Sequence, residues 1–281
     1  MKPSWIRTRL CCSDDYHKVK SVLNELDINT VCESALCPNR AECFSRGTAT
    51  FMILGDVCTR DCSYCNISTG KPAGVDPDEP VKISEAVQRL GLRHVVITSV
   101  TRDDLACQGA TQFMKVVKEI KNKTECRIEL LIPDFNHDNL AQVMNLDIDV
   151  LNHNMEVAKR LFPSLRPQGD YSRSINVLKN AKEMYPETTI KSGFMVGVGE
   201  TIEEVKKTIQ DLANYVDVLT IGQYLQPSKK KIPVQKYYSP EEFSEIKEYC
   251  KNNDINEIFA GPFVRSSYNA EFVLNTVNKK L

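Results

Sequence analysis

The segment FMILGDVCTRDCSYC, residues 51–65, joins a short apolar run to a loop that carries three cysteines. The run FMILG has the length and composition of a strand and ends just before the first cysteine. Cys58, Cys62 and Cys65 then follow at spacings of four and three. Thiolates are soft ligands, so three of them in one loop indicate a metal or cluster site. The segment therefore predicts a strand whose end leads into a metal-binding loop.

Short apolar runs and helical patterns alternate downstream of this loop. The predicted strands are FMILG (51–55), HVVITSV (94–100), RIELLIP (127–133), IDVLNHN (148–154), TIKSGFMVG (189–197) and VDVLTIGQYL (216–225). The predicted helices are ISEAVQRLG (83–91), TQFMKVVKEIK (111–121), HDNLAQVMN (137–145), SRSINVLKNAKEMY (172–185), a helix beginning at Thr201, and SPEEFSEIKEYCK (239–251). Strand–helix units in series predict a parallel sheet, here an α/β fold with a partial (β/α)6 TIM-like barrel.

The alternation divides the chain into three predicted parts. Residues 51–226 form the barrel, residues 1–50 an N-terminal extension with further cysteines, and residues 227–281 a C-terminal extension. In such barrels the loops at the carboxyl ends of the strands carry the chemistry. The cysteine loop follows the first strand, so we expect it at that face.

Composition excludes several classes of function. The 281 residues include 36 basic and 37 acidic side chains, a net charge of -1, which indicates neither a nucleic-acid partner nor an anionic membrane surface. No apolar run approaches the ~20 residues that a membrane span needs. The opening MKPSWIRTRLCC lacks the apolar region of a secretory signal, so the predicted location is cytoplasmic.

Eleven cysteines is a high count, and three explanations compete for it. A disulfide framework is disfavoured, because the number is odd, the chain is large and no export signal is visible. A structural zinc site needs four protein ligands, and each cysteine set here has three. The second set lies upstream, in CESALCPNRAEC, with Cys32, Cys37 and Cys43. Zinc completed from elsewhere in the chain stays open at this point.

An iron–sulfur cube explains the loop differently. Its four corners are normally held by thiolates, so three cysteines leave one iron open to a small molecule. CxxxCxxC after the first strand of a parallel barrel resembles the radical S-adenosylmethionine (SAM) superfamily. The resemblance implies that the amino and carboxylate groups of SAM occupy the open iron. The reduced cluster then cleaves SAM to methionine and a 5′-deoxyadenosyl radical. Tyr64 matches the aromatic residue usually found before the third cysteine.

The upstream set narrows the resemblance to one family. CxxxxCxxxxxC just before the SAM motif resembles the lipoyl synthase family. Further segments match that family in order: KPSWIR, GKPAGVDPDEP, VVITSVTRDDL, LNHNMEV, IKSGFMVGVGET, LTIGQYLQPS and GPFVRSSY. Each piece is weak alone, but the ordered set covers nearly the whole chain and is specific.

The family resemblance implies the activity and its partners. It implies two [4Fe–4S] clusters, SAM, and sulfur insertion at C6 and C8 of an octanoyl group held on a lysine of a carrier protein. The auxiliary cluster would be the sulfur donor. The carrier would be an E2 lipoyl domain or the glycine cleavage H protein, and the electron donor a ferredoxin or flavodoxin. Two alternatives are another two-cluster radical enzyme, such as a methylthiotransferase, and a zinc-stabilised binding module.

The resemblance also implies a serine ligand from RSSY, residues 265–268. Ser266 and Ser267 would point to opposite faces of an extended segment, so only one of them can bind iron. The residues alone do not decide between the two serines, whereas the family resemblance favours Ser267.

Other residues are weaker candidates for binding SAM or a partner. Asn154 and Glu156, with Asn152 and His153, lie at the predicted end of the fourth strand and are candidates for holding the SAM ribose. The segment TSVTRDD is a candidate contact for the methionine part of SAM, although Thr101 stands where aspartate is common in the family. Candidate charges for SAM or an acidic partner are Arg166, Arg173 and the run KKKIPVQK (229–236).

Overall fold

The computed structural model describes residues 2–7, 13–255, 257–268 and 270. The strands of its main parallel sheet are β1 (Thr50–Ile53), β4 (His94–Ser99), β5 (Arg127–Leu131), β6 (Val150–Asn152), β7 (Thr189–Val196), β8 (Val218–Gln223) and β9 (Glu257–Gly261). The short strands β2 (Val57–Cys58) and β3 (Ser68–Thr69) pair with each other. All six predicted strands are therefore present within one or two residues of their expected positions.

Along the chain, the helices lie before and between these strands. Three precede the sheet: α1 (Asp14–Glu25), α2 (Val31–Ser34) and α3 (Arg40–Ser45). The others are α4 (Glu79–Leu90), α5 (Ala110–Lys123), α6 (His137–Met144), α7 (Phe162–Leu165), α8 (Tyr171–Met184), α9 (Ile202–Leu212) and α10 (Pro240–Lys251). Thr201 and Ser239 are the N-caps of the last two helices, and each forms a capping box with the glutamate three residues later. No helix among the described residues is long and apolar enough to cross a bilayer.

The chain forms two compact units. The first, here called the β1 unit, comprises Thr8–Arg60, Asn66–Val150 and Ser267–Leu281. In it β1 pairs with β4 and β4 with β5, all in parallel. All four residues of β1 are buried, because α/β sheets are covered on both faces. The predicted boundaries after residues 50 and 226 stay a prediction.

The second unit, here called the β8 unit, comprises Met1–Arg7, Asp61–Cys65 and Leu151–Ser266. Here β7 pairs with β8 and β8 with β9, again in parallel. Every residue of β8 is buried. The strand β9 was not predicted, since its sequence, EIFAG, has no long apolar run. In the structure only one of its five residues is buried. It lies in the segment that the sequence analysis assigned to the C-terminal extension.

A strained turn connects β1 to the cysteine loop. Leu54 has φ 69° and Gly55 has φ 87°, and a positive φ is unusual for leucine. Both carboxylate oxygens of Glu79 accept the backbone N–H of Leu54, at 2.9 and 3.1 Å. Arg102 Nη1 donates to the carbonyl oxygen of Leu54 at 3.4 Å, and Gln112 donates to Glu79 at 2.8 Å. Both backbone polar groups of Leu54, its N–H and its carbonyl, are therefore hydrogen-bonded within the turn.

We predict that Glu79→Ala destabilises the protein because it leaves the N–H of Leu54 without its acceptor. A buried backbone donor that loses its partner costs about 1–3 kcal/mol, and Leu54 is buried. The measurement is urea unfolding of the metal-free chain, followed by circular dichroism. The matched control is Glu85→Ala on the same helix, whose carboxylate is exposed and 3.6 Å from Arg89. We expect it to change stability by less than about 0.5 kcal/mol. Equal losses in the two variants would contradict the assignment.

Candidate active site

The first part of the cysteine loop is fastened within the β1 unit. The strand β2, which contains Cys58, pairs with β3, so residues before and after the cysteine motif lie side by side. The backbone N–H of Gly70 donates to the carbonyl of Cys58 at 3.0 Å. Thr59 donates to the carbonyl of Thr101 through its backbone N–H at 3.1 Å and its hydroxyl at 3.0 Å. The Cys58 thiol is half-buried and accepts the N–H of Arg60 at 3.4 Å.

The side chain of Arg60 is buried although it belongs to a loop. Its Nε and Nη2 donate to the two carboxylate oxygens of Asp103 at 2.8 and 2.9 Å. Its Nη1 donates to Asp134, whose side chain is fully buried. The hydrogen bond from Arg60 lowers the pKa of Asp103. The two acidic partners offset the cost of burying the guanidinium.

The second part of the loop, residues 61–65, is fastened within the β8 unit. The N–H of Ser63 donates to the carbonyl of Leu165 at 2.9 Å, and its own carbonyl accepts the N–H of Ile232 at 3.3 Å. Cys62 and Cys65 are half-buried thiols, and the N–H of Cys65 donates to the carbonyl of Cys62 at 3.1 Å. The two cysteines therefore lie on one short turn.

Tyr64 lies close to two further residues of the β8 unit. Burial raises the pKa of its hydroxyl well above the usual value, and the charge of Glu156 adds to that rise while Arg166 opposes it. Glu156 has φ 68°, and its backbone bonds to β7 through Gly193 and Met195. Strained non-glycine residues of this kind cluster at functional sites. The structure thus brings together Tyr64 and Glu156, two residues that the sequence analysis selected separately.

Asn154 presents an unsatisfied acceptor in the same unit. Its Nδ2 donates to Ser266 Oγ at 3.4 Å, whereas its buried Oδ1 has no hydrogen-bond partner among the described residues. A Cβ at Gly193 would lie 3.2 Å from that oxygen and 2.3 Å from Thr220 Oγ1. Glycine therefore keeps this polar position open. A buried acceptor without a partner fits a site that receives a hydroxyl or amino group from a ligand.

The upstream cysteines lie together in the β1 unit. Cys32 is in α2, Cys37 follows that helix and Cys43 is in α3, and the N–H of Cys37 donates to the carbonyl of Cys32 at 3.1 Å. Burial raises the pKa of Cys32 to about 11 and that of Cys43 to about 12, and the neighbouring thiols add to both shifts. Three thiols within electrostatic range, in a partly buried place, need a cation if they are to ionise together.

The end of the RSSY segment reaches the same cluster of helices. The hydroxyl of Tyr268 donates to Glu42 Oε1 at 2.9 Å, and Glu42 directly precedes Cys43 in α3. Glu42 also pairs with Arg46 one turn later, at 2.6 Å. Ser267, the residue before Tyr268, belongs to the β1 unit, as do the three upstream cysteines. Ser266 belongs to the β8 unit, where Asn154 engages it.

The remaining cysteines and arginines occupy other environments. None of the nine cysteines in the described ranges is in a disulfide; Cys126 and Cys250 are buried, whereas Cys107 is half-buried. Cys11 and Cys12 lie outside the described residues. Arg166 is not a surface charge: it is buried, donates to Ser174 Oγ at 3.1 Å and lies over the ring of Phe162. No three His, Cys, Asp or Glu side chains within the described chain converge as the ligands of a single metal ion.

Comparison with known proteins decides the family. Residues 52–212 match the sequence profile of the Radical SAM superfamily, and residues 1–37 match that of the N-terminal domain of lipoyl synthase of the Radical SAM family. A lipoyl synthase of Alkaliphilus metalliredigens is 50% identical over 273 residues, 96% of this chain and 94% of the relative. One of Caldanaerobacter subterraneus subsp. tengcongensis is 46% identical over 277 residues, 98% of this chain and 97% of the relative. The chain belongs to the lipoyl synthase family of radical SAM enzymes.

Solved structures show the same fold at much lower identity. Methylornithine synthase superposes with a TM-score of 0.58 at 15% identity, over 87% of this chain and 74% of its own. SuiB of Streptococcus suis, bound to S-adenosylmethionine, superposes with a TM-score of 0.59 at 10% identity, over 79% of this chain and 54% of its own. Together with the match to the Radical SAM superfamily profile, these likenesses confirm the predicted α/β fold class, a partial barrel of the radical SAM type.

Membership of the lipoyl synthase family decides between the alternatives. It excludes the methylthiotransferase and the zinc-stabilised binding module. It also confirms SAM and [4Fe–4S] clusters as the cofactors. The donor sets fit them, because the three thiols of each set are not in disulfides, and the β8 unit has a buried acceptor, Asn154 Oδ1, without a partner among the described residues. The assignment of individual residues to each cofactor stays a prediction, as does the cytoplasmic location.

Proposed function

We propose that this chain inserts two sulfur atoms, at C6 and C8, into an octanoyl group carried on a lysine of a lipoyl carrier protein. The family membership supports the reaction class. The observation that carries the residue assignment is the presence of two separate sets of three thiols, neither with a fourth cysteine in sequence beside it.

In this proposal Cys58, Cys62 and Cys65 hold the cluster that binds SAM. That cluster, when present, supplies one electron for SAM cleavage. The chain's own residues would orient the SAM molecule. Tyr64 would lie beside it, and the buried Oδ1 of Asn154 would accept a hydrogen bond from its ribose. The carboxylate of Glu156, whose backbone is left-handed, would accept another.

The auxiliary cluster is the proposed sulfur donor. Its ligands would be Cys32, Cys37, Cys43 and Ser267. Two contacts support Ser267 over Ser266. Ser266 Oγ already accepts from Asn154, and the bond from Tyr268 to Glu42 brings the chain beside Ser267 to the helix that contains Cys43. An alkoxide is a poorer ligand for iron than a thiolate, which suits a cluster that must give up sulfur.

We predict that the two cysteine sets hold independent clusters. Full anaerobic reconstitution should give about eight irons per chain. Replacement of Cys58, Cys62 and Cys65 by alanine should leave about four irons and abolish SAM cleavage. Replacement of Cys32, Cys37 and Cys43 should also leave about four, with SAM cleavage retained and sulfur insertion lost. The matched control replaces Cys107, Cys126 and Cys250 and should keep about eight. Loss of all iron in both test variants would refute the two-site assignment.

We predict that Ser267 serves sulfur transfer and not radical formation. Ser267→Ala should still produce 5′-deoxyadenosine, with little or no thiolated product in mass spectrometry. Ser266→Ala is the matched control, since it removes only the hydroxyl that faces Asn154. An active Ser267→Ala with an inactive Ser266→Ala would move the ligand by one position. Full activity in both variants would remove serine ligation from the proposal.

We predict that the substrate is an acyl-lysine and not free octanoate. Free octanoate offers one carboxylate and a flexible tail, whereas an acyl-lysine on a folded carrier enters from one end at a set depth. Under single-turnover conditions an octanoylated carrier and an octanoyl-lysine peptide should each gain two sulfurs, with about two SAM consumed. Equal or faster thiolation of free octanoate would overturn this substrate assignment.

Of the four lysines in residues 229–236, two lie beside carboxylates of this chain and two are exposed. Lys231 lies 3.6 Å from Asp61, and Lys236 pairs with Glu242 at 2.6 Å, while Lys229 and Lys230 are exposed. We propose that these two exposed lysines meet the acidic face of an E2 lipoyl domain or an H protein. In the same competition experiment, replacement of both lysines by alanine should slow thiolation of the octanoylated carrier and leave thiolation of the octanoyl-lysine peptide unchanged. The electron donor is proposed to be a ferredoxin or a flavodoxin.

A further inference from the structure

The buried guanidinium of Arg60 occupies an unusual place for a charged side chain. It stands between the first two cysteines of the CxxxCxxC loop, yet only 4% of its side chain is exposed. A loop arginine ordinarily extends its charged end into solvent. Here three of its nitrogens are directed at two carboxylates, Asp103 and Asp134.

The two carboxylates stand after neighbouring strands of the β1 unit. Asp103 follows β4 and Asp134 follows β5, and these strands pair in parallel. A planar guanidinium that bonds to both can adopt only one orientation. Lysine cannot reproduce this arrangement, because its ammonium is a single point charge without a fixed fork.

The backbone around Arg60 is tied to the same strand ends. Thr59 donates twice to the carbonyl of Thr101, and the N–H of Asp103 donates to Thr59 Oγ1 at 3.1 Å. Thr69 Oγ1 donates to the carbonyl of Arg60 at 3.2 Å. The arginine side chain, its backbone and its neighbour therefore hold the Cys58 end of the loop from three directions.

We propose that Arg60, Asp103 and Asp134 form a positioning network that fixes the Cys58 end of the loop before any cluster is bound. Asp103 and Asp134 touch neither the thiol nor SAM in this role; they act through Arg60. The inference rests on the proposed assignment of Cys58 as a cluster ligand, and it assigns Asp103 a role other than the SAM contact that the sequence suggested.

Two adjacent aspartates provide a matched comparison. Asp103 bonds to Arg60 with two contacts, at 2.8 and 2.9 Å, and Asp104 bonds to Arg102 with two contacts, both at 2.8 Å. Asp103→Asn and Asp104→Asn are therefore the same substitution in similar ion pairs, one residue apart. Only the first should loosen the loop.

The first measurement is independent of the cluster. The chelator-stripped full chain is alkylated, and the rate at Cys58 is followed by peptide mass spectrometry, with Cys37 as an internal reference. A hydrogen bond to a charged group is worth enough that its loss should raise the Cys58 rate roughly tenfold in Asp103→Asn. Asp104→Asn should match the parent chain. Arg60→Lys should behave as Asp103→Asn, because it keeps the charge and loses the fork.

The second measurement concerns iron. In a chain whose Cys32, Cys37 and Cys43 are alanine, Asp103→Asn should lose cluster iron on gel filtration several times faster than Asp104→Asn. Indistinguishable alkylation rates in the two aspartate variants would overturn the positioning role, whatever the iron content. The alkylation rates could differ as expected while the chain that lacks only Cys32, Cys37 and Cys43 holds no cluster. That outcome would instead contradict the assignment of Cys58 as a ligand. Asp103→Asn keeps the bond between Arg60 and Asp134, and circular dichroism checks that the variant folds.

Discussion

The carboxylate of Glu79 sustains the turn on which the cysteine loop depends. A buried strand ends at Ile53, and the chain leaves it through Leu54 in a left-handed conformation. Such a conformation persists only where surrounding groups over-determine it. Glu79 accepts the N–H of Leu54, and Arg102 donates to its carbonyl, so the peptide groups that the strand can no longer satisfy are satisfied here.

A buried ion pair then holds the loop that follows. Arg60, in the loop, has a bidentate aspartate partner in Asp103 and a second partner in Asp134. Buried pairs of this kind contribute little net stability, since desolvation offsets their attraction. They restrict the orientation of the guanidinium, however, and a cluster whose corners each need a ligand requires a loop with a defined conformation.

The upstream cysteines are held in place in a different way. Cys32, Cys37 and Cys43 are spread over two short helices, and neither helix is long enough to be stable by itself. Packing of α3 against α1, with Phe44 fully buried, keeps α3 and its Cys43 in place. The hydroxyl of Tyr268 reaches Glu42 from a position 226 residues away in sequence. A local cysteine pattern thus acquires its long-range partner through tertiary packing.

The sequence by itself determined the strand–helix order, the two cysteine sets and the family. These features are local: strand and helix periodicities, capping boxes and ligand spacings can all be read within short windows. It also predicted Tyr64, Asn154 and Glu156 as candidates. Only the tertiary structure decided that Arg60 is buried between Asp103 and Asp134, that Arg166 is not a surface charge, and that β9 extends the sheet. The same holds for Ser266, which faces Asn154. The pairings of Arg60, β9 and Ser266 join residues far apart in the chain, and no local propensity or spacing encodes such a pairing, because it arises only when packing brings these segments together.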